Sequence, residues 1–297
     1  MRTPLVRLAH EGEADIRLKL ESLQPIGSFK LRGALNAVRS APAGAAARGV
    51  VTVSAGNMAQ GVAWAARELG VPATIVVPDG APRAKLDAVE RLGGEIVSVP
   101  YDRWWGVMTE GAYPDAEGLF VHPVRDEAVM AGNGTIGLEL AEDFADVDTV
   151  LVPWGGGGLF TGIASALARL RPGVAVYAVE PESGAAVSAA LAAGGPAETP
   201  FAPSFVDGAG ARVVLPEMWE RACPLLAGAI AVSLEDVAAA VRHLAERAHV
   251  VAEGAGALAV AAALSGRVPG ERIACIVSGG NIDSTRLATI LGGDVPA

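Results

Sequence analysis

The chain has 297 residues, 51% hydrophobic and 19% charged, which excludes a disordered protein and leaves length for one large or two modest domains. A net charge of −10 argues against a nucleic-acid partner, because phosphate recognition needs a basic stripe and none is present. No apolar run approaches the roughly 18–20 residues of a membrane span, and Met1-Arg2-Thr3-Pro4-Leu5 lacks a targeting core, so a cytoplasmic protein without membrane association is expected.

Strand-like and helix-like segments alternate along the chain. Ile16–Leu20 alternates apolar and basic residues as a strand does, a turn follows at Pro25-Ile26-Gly27, and a helix opens near Lys30 through Leu31, Ala34, Leu35 and Val38. Strands are expected at Val50–Val53, Ala73–Val77, Glu95–Val99 and Leu119–His122, with helices at Met58–Leu69 and Pro82–Leu92. Residues 46–126 thus read as a compact βαβα unit with a parallel sheet. A second series follows: a helix over Glu127–Phe144 interrupted at Gly132-Asn133-Gly134, then a strand at Val147–Val152 and a helix at Leu159–Leu170. A strand at Val174–Val179, a helix at Ser183–Ala193 and a loop over 194–214 come next. Helices at Leu234–Ala248 and Glu253–Leu264 precede a central strand, Arg272–Val277. The two cysteines, Cys223 and Cys275, form neither a disulfide framework nor a metal spacing, and Cys275 reads as a reduced packing residue.

Lys30 stands out chemically. The chain has three lysines and twenty arginines, and a lysine amine can lose its proton and attack a carbonyl where a guanidinium cannot. Strand Val147–Val152 runs into Gly155-Gly156-Gly157-Gly158-Leu159 and a helix, so several backbone N–H groups can face one concavity. That makes an anion cup without a basic side chain. Ser54-Ala55-Gly56-Asn57-Met58 lies at a strand end opening a helix. Ser54 and the nearby amides can hold a carboxylate, and Asn57 can donate to a phenolate-type oxygen. Ser278-Gly279-Gly280-Asn281 follows the last strand, and Ser278 can pair with a neutral ring nitrogen. Singly each loop would be an ordinary turn or helix cap. Together, at the strand ends where open α/β sheets bind ligands, they point to pyridoxal 5′-phosphate.

Ser28-Phe29-Lys30-Leu31-Arg32-Gly33-Ala34, Ser54-Ala55-Gly56-Asn57, Gly155–Leu159 and Ser278-Gly279-Gly280-Asn281 resemble the serine/threonine dehydratases of the tryptophan synthase β-like pyridoxal phosphate enzymes. The resemblance includes His122-Pro123, Ala131–Thr135, Val179-Glu180-Pro181 and Glu253–Ala257, and runs from Thr3 to Asp283. It implies an α/β, fold-type II protein with two open parallel-sheet, three-layer lobes. The large one would comprise 1–45 and 127–297, the small one 46–126. It further implies that Lys30 carries the cofactor and Phe29 packs on its ring. Asn57 would meet the ring oxygen, Gly155, Gly156, Gly157, Gly158 and Leu159 the phosphate, and Ser278 the ring nitrogen. The substrate carboxylate would lie at Ser54, Ala55, Asn57 and Met58, where Met58 replaces the family's usual histidine.

The activity so implied is a lyase of amino-acid metabolism, removing water from L-threonine or L-serine to give a 2-oxo acid and ammonia. Serine racemase-like activity is the nearest alternative, but it needs a second acid–base group, and Ala55 occupies the place where related racemases carry serine. A bulkier 3-hydroxy amino acid such as phenylserine is a further alternative, suggested by Trp104, Trp105 and Trp154. A non-catalytic pyridoxal phosphate-binding protein is the competing class. No metal is expected: Glu180 matches one carboxylate of a divalent-cation site found in some relatives, but Ala186 replaces the next acid. The resemblance also implies a homodimer, and no appended regulatory domain is expected after Asn281.

Overall fold

The structure is a computed structural model and describes residues 1–296. The strands are β1 (Leu5–Arg7), β2 (Asp15–Leu20), β3 (Val50–Val53), β4 (Ala73–Pro78) and β5 (Gly94–Val99). They continue with β6 (Leu119–Phe120), β7 (Thr149–Pro153), β8 (Ala175–Pro181), β9 (Gly228–Val232) and β10 (Arg272–Val277). Helices α1 (Lys30–Ser40), α2 (Asn57–Leu69), α3 (Arg83–Arg91), α4 (Tyr101–Glu110) and α5 (Glu127–Asp143) belong to the first half. Helices α6 (Gly158–Leu170), α7 (Ala186–Ala193), α8 (Pro216–Ala222), α9 (Leu234–His243), α10 (Gly254–Leu264) and α11 (Ser284–Leu291) belong to the second. Among the described residues no helix is long and apolar enough to cross a membrane.

Packing divides the chain into two compact units, one of Met1–Ser28 with Gly134–Ala297 and one of Phe29–Asn133. The breaks fall between Ser28 and Phe29 and within α5, rather than near residues 45 and 126. The reason is α1, whose Ala34, Ala37 and Val38 share an apolar cluster with Met58, Ala59 and Val62 of α2.

The first unit holds a six-stranded sheet in the order β1-β2-β10-β7-β8-β9. All its pairings are parallel except β1 with β2, so one edge departs from the all-parallel expectation. Strands β7 and β10 are buried almost throughout, as central parallel strands covered on both faces must be. Helix α10 is apolar on every side and lies within the same cluster as Leu18, Leu151, Val179 and Val277. Cys275 lies in that core with no exposure, and burial pushes its thiol well up, which leaves it inert.

The second unit holds a parallel four-stranded sheet in the order β5-β4-β3-β6. Gly70 ends α2 in the left-handed region, at φ 69°, as the sequence suggests for that helix stop.

Several elements differ from the sequence reading, which also passes over β1, α8 and α11. Helix α5 runs unbroken through Gly132-Asn133-Gly134. Its glycines permit close backbone approach instead of a break: a Cβ on Gly132 would fall 2.4 Å from the Arg32 carbonyl, and one on Gly137 would fall 2.8 Å from that of Ile163. The Trp-containing segment forms α4, although aromatic residues have modest helix propensity. Strand β9, Gly-Ala-Ile-Ala-Val, escapes the pattern because glycine and alanine carry little strand signal.

Glu180, on β8, is fully buried. Its carboxylate accepts from the amides of Val187 (2.7 Å) and Ser188 (3.0 Å) and from the Ser188 hydroxyl (3.2 Å), closing the start of α7. Burial pushes this carboxyl above its usual range, and the three hydrogen bonds pull it back. The native state therefore holds that proton more tightly than the unfolded chain, so this group's contribution to stability falls as pH rises beyond the ordinary carboxylate value. Two outcomes are expected in urea titrations. Glu180→Ala should cost about 2 kcal/mol by leaving buried donors unpaired. Glu180→Gln should abolish that part of the pH slope.

Candidate active site

Lys30 is the first residue of α1. Its Nζ donates to the Pro123 carbonyl at 3.2 Å and stands 5.1 Å from the centre of the Phe29 ring. Lys19 makes an instructive contrast. It is the fully buried lysine, but its Nζ is bound by the Glu139 carboxylate at 2.6 Å and the Thr3 carbonyl at 2.7 Å. An amine held so in an ion pair is a structural group.

The same unit carries the Ser54–Met58 loop. The Ser54 hydroxyl accepts from the Gly56 amide at 3.2 Å, which curls the loop before α2 begins at Asn57. A Cβ on Gly56 would meet nothing within 4 Å, so the loop faces open space. Met58 does not project there. Its side chain is 2% exposed and belongs to the apolar cluster with Val62, Ile75 and Val89. Its backbone amide, at the start of α2, is what it can offer a carboxylate.

The first unit carries the glycine cup and the Ser278 turn. Gly157 takes φ +90° as the residue before α6, and the first bond of that helix runs from the Thr161 amide to the Gly157 carbonyl at 2.9 Å. The amides of Leu159 and Phe160 thus have no acceptor inside the helix, at its positive end. A Cβ on Gly155 would fall 2.3 Å from the Gly208 carbonyl, so the 208–210 loop, which sequence motifs do not mark, forms part of the cup's frame. Trp154 is 1% exposed and lies beneath it, 5.5 Å from Phe160 between ring centres. Its ring would sit 2.8 Å from a Cβ on Gly157, so the tryptophan's bulk is matched by the glycine's lack of it. Trp154 therefore fills core and does not line a pocket. On α4, Trp104 packs with Val51, Val53 and Val76, while Trp105 is half exposed.

Ser278, 3% exposed, ends β10. The turn after it is clasped by the Ser28–Gly279 bridge, by the Gly280 amide on the Gly27 carbonyl (2.8 Å) and by Asn281 Nδ2 on the Ile26 carbonyl (2.8 Å). Two buried hydroxyls here that motif reading passes over, those of Ser28 and Thr161, have no hydrogen-bond partner among the described residues. Among those residues no group of three or more His, Cys, Asp or Glu is arranged to hold a metal, and Glu180 is engaged by α7.

Known proteins resemble this chain along most of its length. A family model described as pyridoxal-phosphate dependent enzyme matches residues 1–279. An L-threonine ammonia-lyase of Thermotoga maritima is 40% identical over 285 residues, 93% of this chain and 70% of the relative. Among solved structures, maize serine racemase superposes with a TM-score of 0.87 at 31% identity, covering 97% of this chain and 91% of that one. The processed form of threonine deaminase isoform 2 from Solanum lycopersicum gives 0.87 at 30% identity, covering 99% and 88%. The chain belongs to the family of pyridoxal-phosphate dependent enzymes, with the two-sheet α/β fold of its tryptophan synthase β-like members.

The residues present fit that cofactor. A cup of helix-start amides suits a phosphate in an acidic protein, a lysine amine stands at a helix start, and buried hydroxyls await partners. Gly157→Ala should cost about 1–3 kcal/mol through its left-handed backbone alone, with the ring clash added. Pairing it with Trp154→Leu should recover the clash but not the backbone part, as read by thermal unfolding.

Proposed function

We propose that this enzyme is an ammonia-lyase that eliminates water from a 3-hydroxy amino acid of the threonine and serine type, yielding a 2-oxo acid and ammonia. The observation that carries this reading is the 40% identity to an L-threonine ammonia-lyase across 93% of the chain. The same reading takes the enzyme as a cytoplasmic homodimer. Its unpaired cysteines, Cys223 and Cys275, support the compartment, and family resemblance supports the dimer.

In this reading Lys30 binds the cofactor covalently and Phe29 flanks it. The amides of Gly155–Leu159 hold the phosphate, Asn57 donates to the ring oxygen and Ser278 donates to the ring nitrogen. When bound, pyridoxal phosphate supplies an aldehyde that captures the substrate amine and a ring that spreads the charge left at Cα. Ser54, Ala55 and the amides opening α2, Met58's included, hold the substrate carboxylate. The freed Lys30 amine takes the Cα proton, which requires it to be neutral at that moment. A serine hydroxyl at 278, unlike a carboxylate, would pair with an unprotonated ring nitrogen, which would favour prompt departure of the β-hydroxyl as water, with the proton that Lys30 took from Cα. The released enamine hydrolyses to the 2-oxo acid and ammonia.

Likeness in fold to a serine racemase does not separate elimination from racemisation. Ala55 does: a methyl group cannot carry a proton to the opposite face of Cα. Substitution of Lys30 by alanine should abolish both turnover and the borohydride-sensitive yellow absorbance. Ammonia release should be measured on threonine, serine and phenylserine, with threonine or serine expected to give the highest kcat/KM. Conversion of L- to D-serine outpacing ammonia release would overturn the lyase assignment.

A further inference from the structure

His122, just beyond β6, is 8% exposed, and three of its contacts run to backbone groups. Its Nδ1 accepts from the amides of Val124 (3.1 Å) and Arg125 (2.9 Å). Its Nε2 lies 3.0 Å from the Met108 carbonyl. A carbonyl oxygen can only accept, and two amide hydrogens already occupy Nδ1, so the ring is neutral with its proton on Nε2. Met108 belongs to the last turn of α4, where carbonyls have no partner within the helix. Arg125 makes a parallel contact, donating to the Thr109 carbonyl at 2.7 Å. The turn 122–125 is thereby pinned to the end of α4.

One peptide group in that turn links the ring to Lys30. The Pro123–Val124 peptide is trans, so its N–H and C=O point in opposite directions. Its N–H bonds to His122 Nδ1, and its C=O accepts from Lys30 Nζ at 3.2 Å. Fixing one end of this plane aims the other. Proline at 123 adds a locked φ, so little freedom remains between ring and amine.

We propose that His122 is a positioning residue for Lys30: it sets the plane of the Pro123–Val124 peptide, whose carbonyl holds the lysine amine whenever that amine is not covalently engaged. A neutral amine that donates one hydrogen to this carbonyl has its lone pair directed elsewhere by the tetrahedral geometry of nitrogen. The turn thus narrows the directions in which Lys30 can present its lone pair. The inference rests on the proposed role of Lys30 in proton removal.

Two substitutions test it. His122→Leu removes the acceptor, whereas His122→Asn keeps an oxygen able to accept from the amides two and three residues on. Hydrogen exchange on the full-length protein reads the turn without any turnover. Exchange of the Val124 and Arg125 amides should quicken in His122→Leu and stay slow in His122→Asn. With threonine, His122→Leu should lose kcat by roughly 10- to 100-fold, the scale of a small misplacement of a reacting group, while KM changes by less than about threefold. Its isotope effect with α-deuterated threonine should rise, because proton removal becomes slower, and His122→Asn should restore kcat to within about threefold.

The proposal is overturned if His122→Leu exposes both amides yet keeps its kcat, or leaves both amides protected. It is also overturned if His122→Asn preserves amide protection but loses kcat tenfold, since the ring would then act directly. Should the leucine variant not fold, the asparagine variant decides between these outcomes. A wild type that releases no ammonia from any 3-hydroxy amino acid defeats the lyase reading instead, and the exchange measurement separates the two failures.

Discussion

Close approach of backbone to backbone around the turn after β10 governs the first unit. The Glu253 amide reaches the Gly279 carbonyl at 3.0 Å, and a Cβ on Gly256 would stand only 2.2 Å from that same oxygen. On the other side, residues 26–28 are clasped to 279–281 by the bridge and hydrogen bonds already described. A Cβ on Gly279 would collide with the Glu253 carboxylate at 2.3 Å. Three distant stretches of chain thus meet closely, largely backbone to backbone.

An acidic protein that handles anionic groups has to hold them by local means. Here the means are helix starts. The amides opening α6 and α2 face outward from loops shaped by glycine, and their partial positive charge needs no arginine to supplement it. The first turn of α7 meets the same electrostatic demand internally, by taking the buried Glu180 carboxylate. The device that stabilises the start of α7 is thus the one proposed above for ligand binding at the starts of α6 and α2. Which it does depends on whether a side chain of the protein already fills the position.

Much of this was legible from residues alone. The order of strands and helices, the Gly70 stop, the glycine cup before α6 and the opening of a helix at Lys30 are written in neighbouring residues. The rarity of lysine singled out Lys30, and the family motifs named the companions proposed for it by residue number. Misreadings have one origin. Glycines in α5 look like breaks because glycine weakens a lone helix, but a neighbouring backbone occupies the space a side chain would take. Met58 and Trp154 stand in or beside loop motifs, and both side chains turn into core.

What the sequence by itself determined was therefore the alternation of elements, the α/β class and the chemistry its loops could support, since these follow from periodicity and from residue types a few positions apart. Tertiary structure alone decided that Lys19 is an ion-paired strut while Lys30 meets a carbonyl, that Glu180 serves a helix, and that His122 is neutral and aimed at a backbone turn. Each of those roles depends on partners brought from elsewhere in the chain. A side chain's charge state and orientation are set by the dipoles packed around it, and no local pattern records which ones will arrive.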